Sequence, residues 1–137
     1  MSGKKSNAAV VVNRKAHFDY VLGDQLEVGM VLTGPEVRAV RDHHAQIRGA
    51  YVVVRRDELW LVGMTLGSEV AGDVKLLATK RQIAGLLKQK AVGYTIVPVK
   101  LLPLKRHIKL VIAVGRGKKR YDKRQTIKER DLERERR

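Results

Sequence analysis

The sequence predicts a mainly β fold: an OB-fold-like closed antiparallel β-barrel with two or three short helices and a basic C-terminal tail that is disordered when free. Three observations predict it. β-rich runs come in pairs separated by turn-forming residues, helix start signals interrupt them only briefly, and apolar patterning stops at Gly115. The chain has 137 residues, enough for one modest core, with no internal repeat and no low-complexity linker. Residues 1–12 read as a flexible basic N-terminus, residues 13–114 as the barrel body and residues 115–137 as the tail.

His17–Leu22 alternates polar and apolar side chains, a strand pattern that puts Phe18, Tyr20 and Leu22 on one face. Thr33-Gly-Pro-Glu36 then carries helix start signals, a Thr N-cap, an early Pro and a Glu three residues after the Thr. The helix runs Glu36–Asp42, with Val37 and Val40 inward and Arg38 and Arg41 on a neighbouring face. Tyr51–Val54 and Leu59–Leu66 form a hairpin around Arg55-Arg56-Asp57-Glu58. Lys75–Gln89 reads as a second helix with Leu76, Leu77, Ile83, Leu86 and Leu87 as its apolar stripe. Tyr94–Leu102 and Leu104–Val114 make a second hairpin. Pro98 cannot donate to a ladder, so its strand is an edge or is bulged. Gly115–Arg124 has almost no core-building side chains and cannot offset its ordering entropy. Thr126–Arg137 is rich in helix formers and suits a helix formed on contact.

The formal net charge is +15, divided as +4 over residues 1–15, +5 over 16–114 and +6 over 115–137. Basic ends without matching acids read most simply as a polyanion-binding surface, nucleic acid being the commonest polyanion; solubility alone is the bland reading. A membrane surface suits the chain less, since neither end shows a bulky apolar face and the longest apolar runs, such as Leu110–Val114, are too short to span. No secretory leader is read at the N-terminus, so the expected location is cytoplasmic.

Catalysis finds little support, and no enzyme is expected. There is no cysteine, nucleophile elbow, His-Glu-x-x-His or P-loop. His43 and His44 are adjacent and diverge on a helix, a poor metal pair, so neither metal nor cofactor is expected. Gly115-x-Gly117 precedes a basic run rather than opening a helix. The tail gives affinity by counterion release, which is blind to sequence, so selectivity must come from shape, 2′-OH contacts or stacking. Tyr121 stands in a cationic stretch without apolar neighbours, where stacking on a base outweighs burial.

Several blocks together resemble a known family. They are Asn13-Arg-Lys-Ala-x-x-Asp-Tyr20, Leu26-Glu-x-Gly-x-x-Leu-Thr-Gly-x-Glu-Val-Arg-x-x-Arg41, Tyr51-Val52, Glu58-Leu-Trp-Leu61, Lys75-Leu-Leu-x-x-Lys-Arg-x-Ile83, Arg116-Gly-Lys-Lys119 and Tyr121-Asp-Lys-Arg124. They look like SmpB, the tmRNA-binding (SsrA-binding) protein family, and run in the family's order along nearly the whole chain.

The resemblance implies an OB-fold adaptor of trans-translation that binds the tRNA-like domain of tmRNA as a 1:1 complex with a monomer. It further implies delivery to the vacant decoding site of a stalled 70S ribosome, with the body imitating the anticodon arm. The tail, helical on the ribosome, would lie in the mRNA path against small-subunit rRNA. By position, Asn13, Tyr20, Glu27 and Leu77 match places the family associates with tmRNA binding. Lys118, Lys119, Asp122, Lys123 and Arg124 match tail positions needed on the ribosome, and Tyr121 falls where many relatives have a stacking His. Arg14, Lys15, Arg38 and Arg41 suit phosphate contact and solvated surface equally. Tyr20 and Leu77 suit core packing as well as RNA contact, and Glu27 suits base edges or sugar hydroxyls, or an orienting contact to an Arg, rather than phosphate.

The chain departs from the family in three places: His17-Phe18 stands where relatives usually show Arg-His, Gly67–Val74 is shortened, and the tail ends soon after Arg124. The competing function is a structural ribosomal protein held permanently in rRNA. Truncation at Gly115 is expected to leave tmRNA binding largely intact and abolish tagging of stalled peptides; filter binding and a tagging assay on the same protein check both halves.

Overall fold

Ten strands and three helices follow one another in a computed structural model that describes residues 10–89, 94–118, 123–125 and 127–130. They are β1 (Val11–Val12), α1 (Arg14–Asp19), β2 (Tyr20–Met30), α2 (Gly34–Arg41), β3 (Ala45–Gln46), β4 (Tyr51–Arg55) and β5 (Glu58–Val62). After these come β6 (Thr65–Leu66), β7 (Glu69–Val70), β8 (Val74–Leu77), α3 (Lys80–Gln89), β9 (Tyr94–Pro103) and β10 (Ile108–Gly117). The main sheet is a ring, β9-β10-β2-β8-β5-β4 and back to β9, with every neighbouring pair antiparallel. The expected barrel is thus present, but its seam is thin. β4 meets β9 through the single pair Val52↔Ile96, so the barrel is not sealed along its whole length. β3, β6 and β7 form a small second sheet.

The core fills the ring. Leu59, Leu61, Ile96, Leu101, Leu110 and Ile112 are fully buried inside it, each strand supplying alternate side chains. A smaller cluster, Val99, Val111 and Ala113 with Leu22 and Leu102 packed on it, lies on the opposite face of β9 and β10. Strand pairing reaches beyond residues 13–114 at both ends: Val11↔Leu101 and Val12↔Lys100 precede them, and Gly117↔Tyr20 follows.

The seam is reinforced by one polar side chain. β9 carries a bulge at Val99, because Val111 pairs with Lys100 while Ile112 pairs with Pro98. This is the irregularity that the proline demands. Asn13, buried at 3% exposure, sits against the bulge. Its backbone N–H donates to Val99 O at 2.8 Å. Its side-chain amide donates to Pro98 O at 2.9 Å and Ile47 O at 3.3 Å, joining β9 to the loop that leads into β4. Its Oδ1 meanwhile accepts from Ala16 N at 3.1 Å, capping α1.

Local chemistry explains most elements. Thr33 and Glu36 form a reciprocal capping box at 3.3 and 2.8 Å, as their spacing predicts. The hairpin between β4 and β5 turns on Arg56 and Asp57, both at positive φ, the conformation that a two-residue turn between twisted strands requires. Three expectations need correction. Leu59–Leu66 is not one strand: β5 ends at Val62, and Thr65–Leu66 belongs to the second sheet. Residues 14–19 are helical, and the strand begins only at Tyr20. The Asn13 cap and the six-residue length decide this, since alternation over so few residues fits either structure. Lys75–Gln89 is not one helix: Val74–Leu77 pairs with β5 and β2, and α3 starts after a second capping box, between Thr79 and Gln82. Leu76 therefore faces the core and Leu77 faces out, 54% exposed.

Asn13→Ala leaves two buried carbonyls and one N–H unpaired and is expected to cost about 2–3 kcal/mol. Asn13→Asp keeps the cap acceptor but sets a carboxylate against two carbonyls, and should cost more. Urea unfolding of the two variants checks the order.

Candidate nucleic-acid interface

Two groups of cations among the described residues lie near the expected site residues. One group surrounds α1. Arg14 and Lys15 open the helix, and together with Val12, Phe18, Asp19, Gln46, Arg48 and Arg130 they line a groove of about 500 Å³. Lys15 Nζ lies 3.0 Å from Asp19 Oδ2, and Lys123 Nζ lies 3.4 Å from Asp19 Oδ1. The hydrogen bond from Lys15 holds the Asp19 carboxyl below its ordinary value; desolvation opposes it, and Lys123 adds to the lowering. Two cations stand over the Phe18 ring, Lys123 at 5.4 Å and Arg130 at 5.7 Å from its centroid.

His17 marks how cationic this end is. Partial removal from water lowers its pKa first, and repulsion from Lys100, Lys118 and Arg130 lowers it further. The second group is at the β9–β10 turn. There Arg41 of α2 donates from Nη2 to Lys105 O at 3.4 Å, with Arg38, Lys105 and Arg106 exposed. Elsewhere Arg55 pairs with Asp73 and Lys75 with Glu58, each at 2.6 Å, while α3 carries Lys80, Arg81 and Lys88.

Between the two groups lies the outer face of β2. A register shift against β10 sets Gly23 and Asp24 opposite Val114 alone. This bulge reverses the alternation, so Tyr20 and Leu22 before it and Glu27 and Gly29 after it share the outer face, while Leu26 and Val28 join the core. Tyr20 lies against Gly115, where an added Cβ would meet its side chain at 3.1 Å. Leu77 occupies the space left open by Gly29, where a Cβ would stand 3.3 Å from Leu77 Cδ1. Exposed Glu27 is two residues away on the same face.

The expected site residues therefore form a path rather than one pocket. Arg14, Lys15 and Tyr20 lie at the α1 end, Glu27 and Leu77 together on the wall, and Arg38 and Arg41 at the α2 end. Asn13 is apart from them all, buried with its amide spent on protein carbonyls. Of the tail residues, Lys118, Lys123 and Arg124 fall within the described residues; Lys119, Tyr121 and Asp122 lie outside them. Residues 123–125 and 127–130 are helical. Arg48, Lys100 and Arg130 were not singled out by sequence reasoning, and His17 and Phe18 only as a departure from the family pattern and, for Phe18, as part of one face of a strand. Arg48 and Lys100 are isolated in sequence and become neighbours of α1 only through the β1–β9 pairing and the seam. Among the described residues, no group of three or more His, Cys, Asp or Glu suits a metal ion, and no helix is long and apolar enough to cross a membrane.

Known proteins are similar to this chain in sequence and fold. The family model described as SmpB protein matches residues 10–137. The SsrA-binding protein of Bordetella pertussis is 43% identical over 93% of this chain and 89% of its own length. Those of Mycoplasma mycoides and Staphylococcus saprophyticus are each 39% identical, over 94% and 98% of this chain and 95% and 94% of theirs. A chain from a solved structure described as "tmRNA-SmpB: a journey to the center of the bacterial ribosome" superposes with a TM-score of 0.65 at 29% identity, covering 88% of this chain and 95% of that one.

Because the folded His17 ring holds its proton less well than the unfolded chain does, lowering the pH from neutral through the ordinary imidazole range removes stability through this group. A bound phosphate reverses the preference. RNA affinity should therefore rise as the pH falls through that range, with uptake of about one proton per complex. Titrations at constant ionic strength check this, and His17→Gln should flatten the profile.

Proposed function

The chain belongs to the SmpB family, and from that membership we propose that it is an RNA-binding adaptor of trans-translation rather than an enzyme. It binds the tRNA-like domain of tmRNA and carries it to the vacant decoding site of a stalled ribosome, where the body takes the place of an anticodon arm and the tail follows the mRNA path. Tagging of the nascent peptide and release of the ribosome follow. The protein acts as a monomer in the cytoplasm, where stalled ribosomes are.

The observation that carries the reading is that cations gather both around α1 and where α2 meets the β9–β10 turn, with the outer face of β2 between them. An adaptor that touches two RNAs needs two electropositive ends. A protein embedded in one rRNA is better served by charge all round, yet the wall's Arg55 and Lys75 are already paired. Arg14, Lys15, Arg38 and Arg41 serve as phosphate contacts. Glu27 and Leu77 meet the RNA between them, the carboxylate accepting from base edges or sugar hydroxyls and the leucine covering an apolar edge. Tyr20 offers one face of its ring. Asn13 acts at one remove, by fixing where α1 begins. Lys118, Lys119, Tyr121, Asp122, Lys123 and Arg124 engage the decoding site.

In a salt-matched competition, the tRNA-like domain of tmRNA should outcompete an equal length of generic structured RNA; equal affinities would sink this reading. Arg14→Ala should weaken both RNAs alike and reduce the log–log salt slope by about one.

A further inference from the structure

We propose that the outer face of β4 and β5 is a stacking surface for unpaired RNA bases, with Tyr51 and Trp60 as its two platforms. Alternation along the strands decides which residues point outward. Val52, Leu59, Leu61, Val74 and Leu76 belong to the core, so Tyr51, Val53, Trp60, Val62, Lys75 and Leu77 lie on the opposite side. Trp60 stands between Val53 on one neighbouring strand and Lys75 on the other, and the Tyr51↔Val62 pair makes Tyr51 its diagonal neighbour. Diagonal neighbours are about 7–8 Å apart, within reach of aromatic side chains. Tyr51 is 47% exposed, and Val53, Trp60 and Val62 are half-buried. Among the described residues no helix packs over them: α1 lies on β9 and β2, α2 meets β6, and α3 turns Ile83 and Leu86 into the core.

The surroundings choose RNA over protein as the occupant. The core of a protein interface is depleted in charge, whereas this platform is framed by it. The Lys75–Glu58 and Arg55–Asp73 pairs border Trp60. Arg48, three residues before Tyr51, and Arg56, just after β4, are exposed at the two ends of the strand, and neither has an acidic partner among the described residues. Two free guanidinium groups flanking two aromatic rings can hold a strand by its phosphates while its bases stack. Stacking needs no net charge, so the pairing of Arg55 and Lys75 is no obstacle to it. Leu77 continues the same face toward Glu27, where the RNA of the adaptor reading already passes. The bases must be unpaired, because a base inside a duplex offers no free face. That the RNA is the tRNA-like domain rests on the function proposed above; the stacking surface itself does not.

Trp60 is the only tryptophan of the chain, so its emission reports on the platform directly. In full-length protein, saturating tRNA-like domain of tmRNA, with binding scored by filter retention on the same samples, should quench this emission and shield the indole from acrylamide. An oligoadenylate, which has bases to stack but no fold to recognise, should do the same at higher concentration. Tyr51→Ala should weaken retention of the tRNA-like domain about tenfold and leave the log–log salt slope unchanged, whereas Tyr51→Phe should bind as the parent does. Arg48→Ala should by contrast reduce that slope by about one. Trp60 emission and accessibility indifferent to both RNAs overturn the proposal, and so does Tyr51→Ala binding as tightly as the parent. Shielding of Trp60 that rises with protein concentration in the absence of RNA gives the face to a second copy of the chain and also overturns it. Should oligoadenylate quench Trp60 while the tRNA-like domain is not retained, the adaptor reading fails and the stacking surface stands.

Discussion

The structure hangs on how a six-stranded ring closes where strand pairing nearly runs out. β9 must accept β1 at one point and β4 at another along the same edge, and a proline falls between them. Asn13 resolves the geometry. Its amide ties β9 to the approach of β4, its carbonyl oxygen caps α1, and its backbone holds the bulge. A buried amide with three good partners is stabilising only as a complete set, because each partner left unpaired in the interior costs more than one hydrogen bond returns. The fold thus ties the integrity of the barrel to the placement of α1 and its cations. A substitution at this position loosens both together, and loss of RNA binding there says little about direct contact.

Electrostatics works within that frame. Phosphate-binding side chains have to be assembled before the phosphate arrives, and their mutual repulsion is unrelieved meanwhile. The barrel meets this in part by dividing its cations between the surroundings of α1 and the β9–β10 turn. Within the α1 group, Asp19 and the Phe18 face supply the local relief. Asp73 and Glu58 are matched to Arg55 and Lys75, exposed pairs of small energetic weight.

Much of the fold was legible in the residues. The Thr33–Glu36 box, the turn at Arg56-Asp57, the two hairpins and the irregularity at Pro98 each follow from a local rule that tertiary packing did not override. The misreadings share a cause. Over six residues of α1, alternation and helical spacing are indistinguishable, and the leucines of Val74–Leu77 extend the apolar stripe of α3 by coincidence of phase. In the site, charge was legible and placement was not. Arg14, Lys15, Arg38 and Arg41 announce themselves by type, but nothing near Asn13 in sequence reveals that carbonyls 34 and 85 residues away will claim its amide. The bulge opposite Val114, which puts Tyr20 and Glu27 on one face, is likewise a property of a strand pair formed across most of the chain.

That last pairing bears on how the molecule is made. β2 has only Gly29 and Met30 in register with β8; its other partner is β10, the last strand. A chain emerging N-terminus first therefore holds a strand of eleven residues that stays largely unpartnered until residues 108–117 arrive. Closure of such distant ends is slow, and the waiting edge is exposed to wrong partners in the meantime. Synthesis interrupted before β10 yields no smaller barrel but an open sheet lacking its central member. For this fold, completion of translation is itself a folding step.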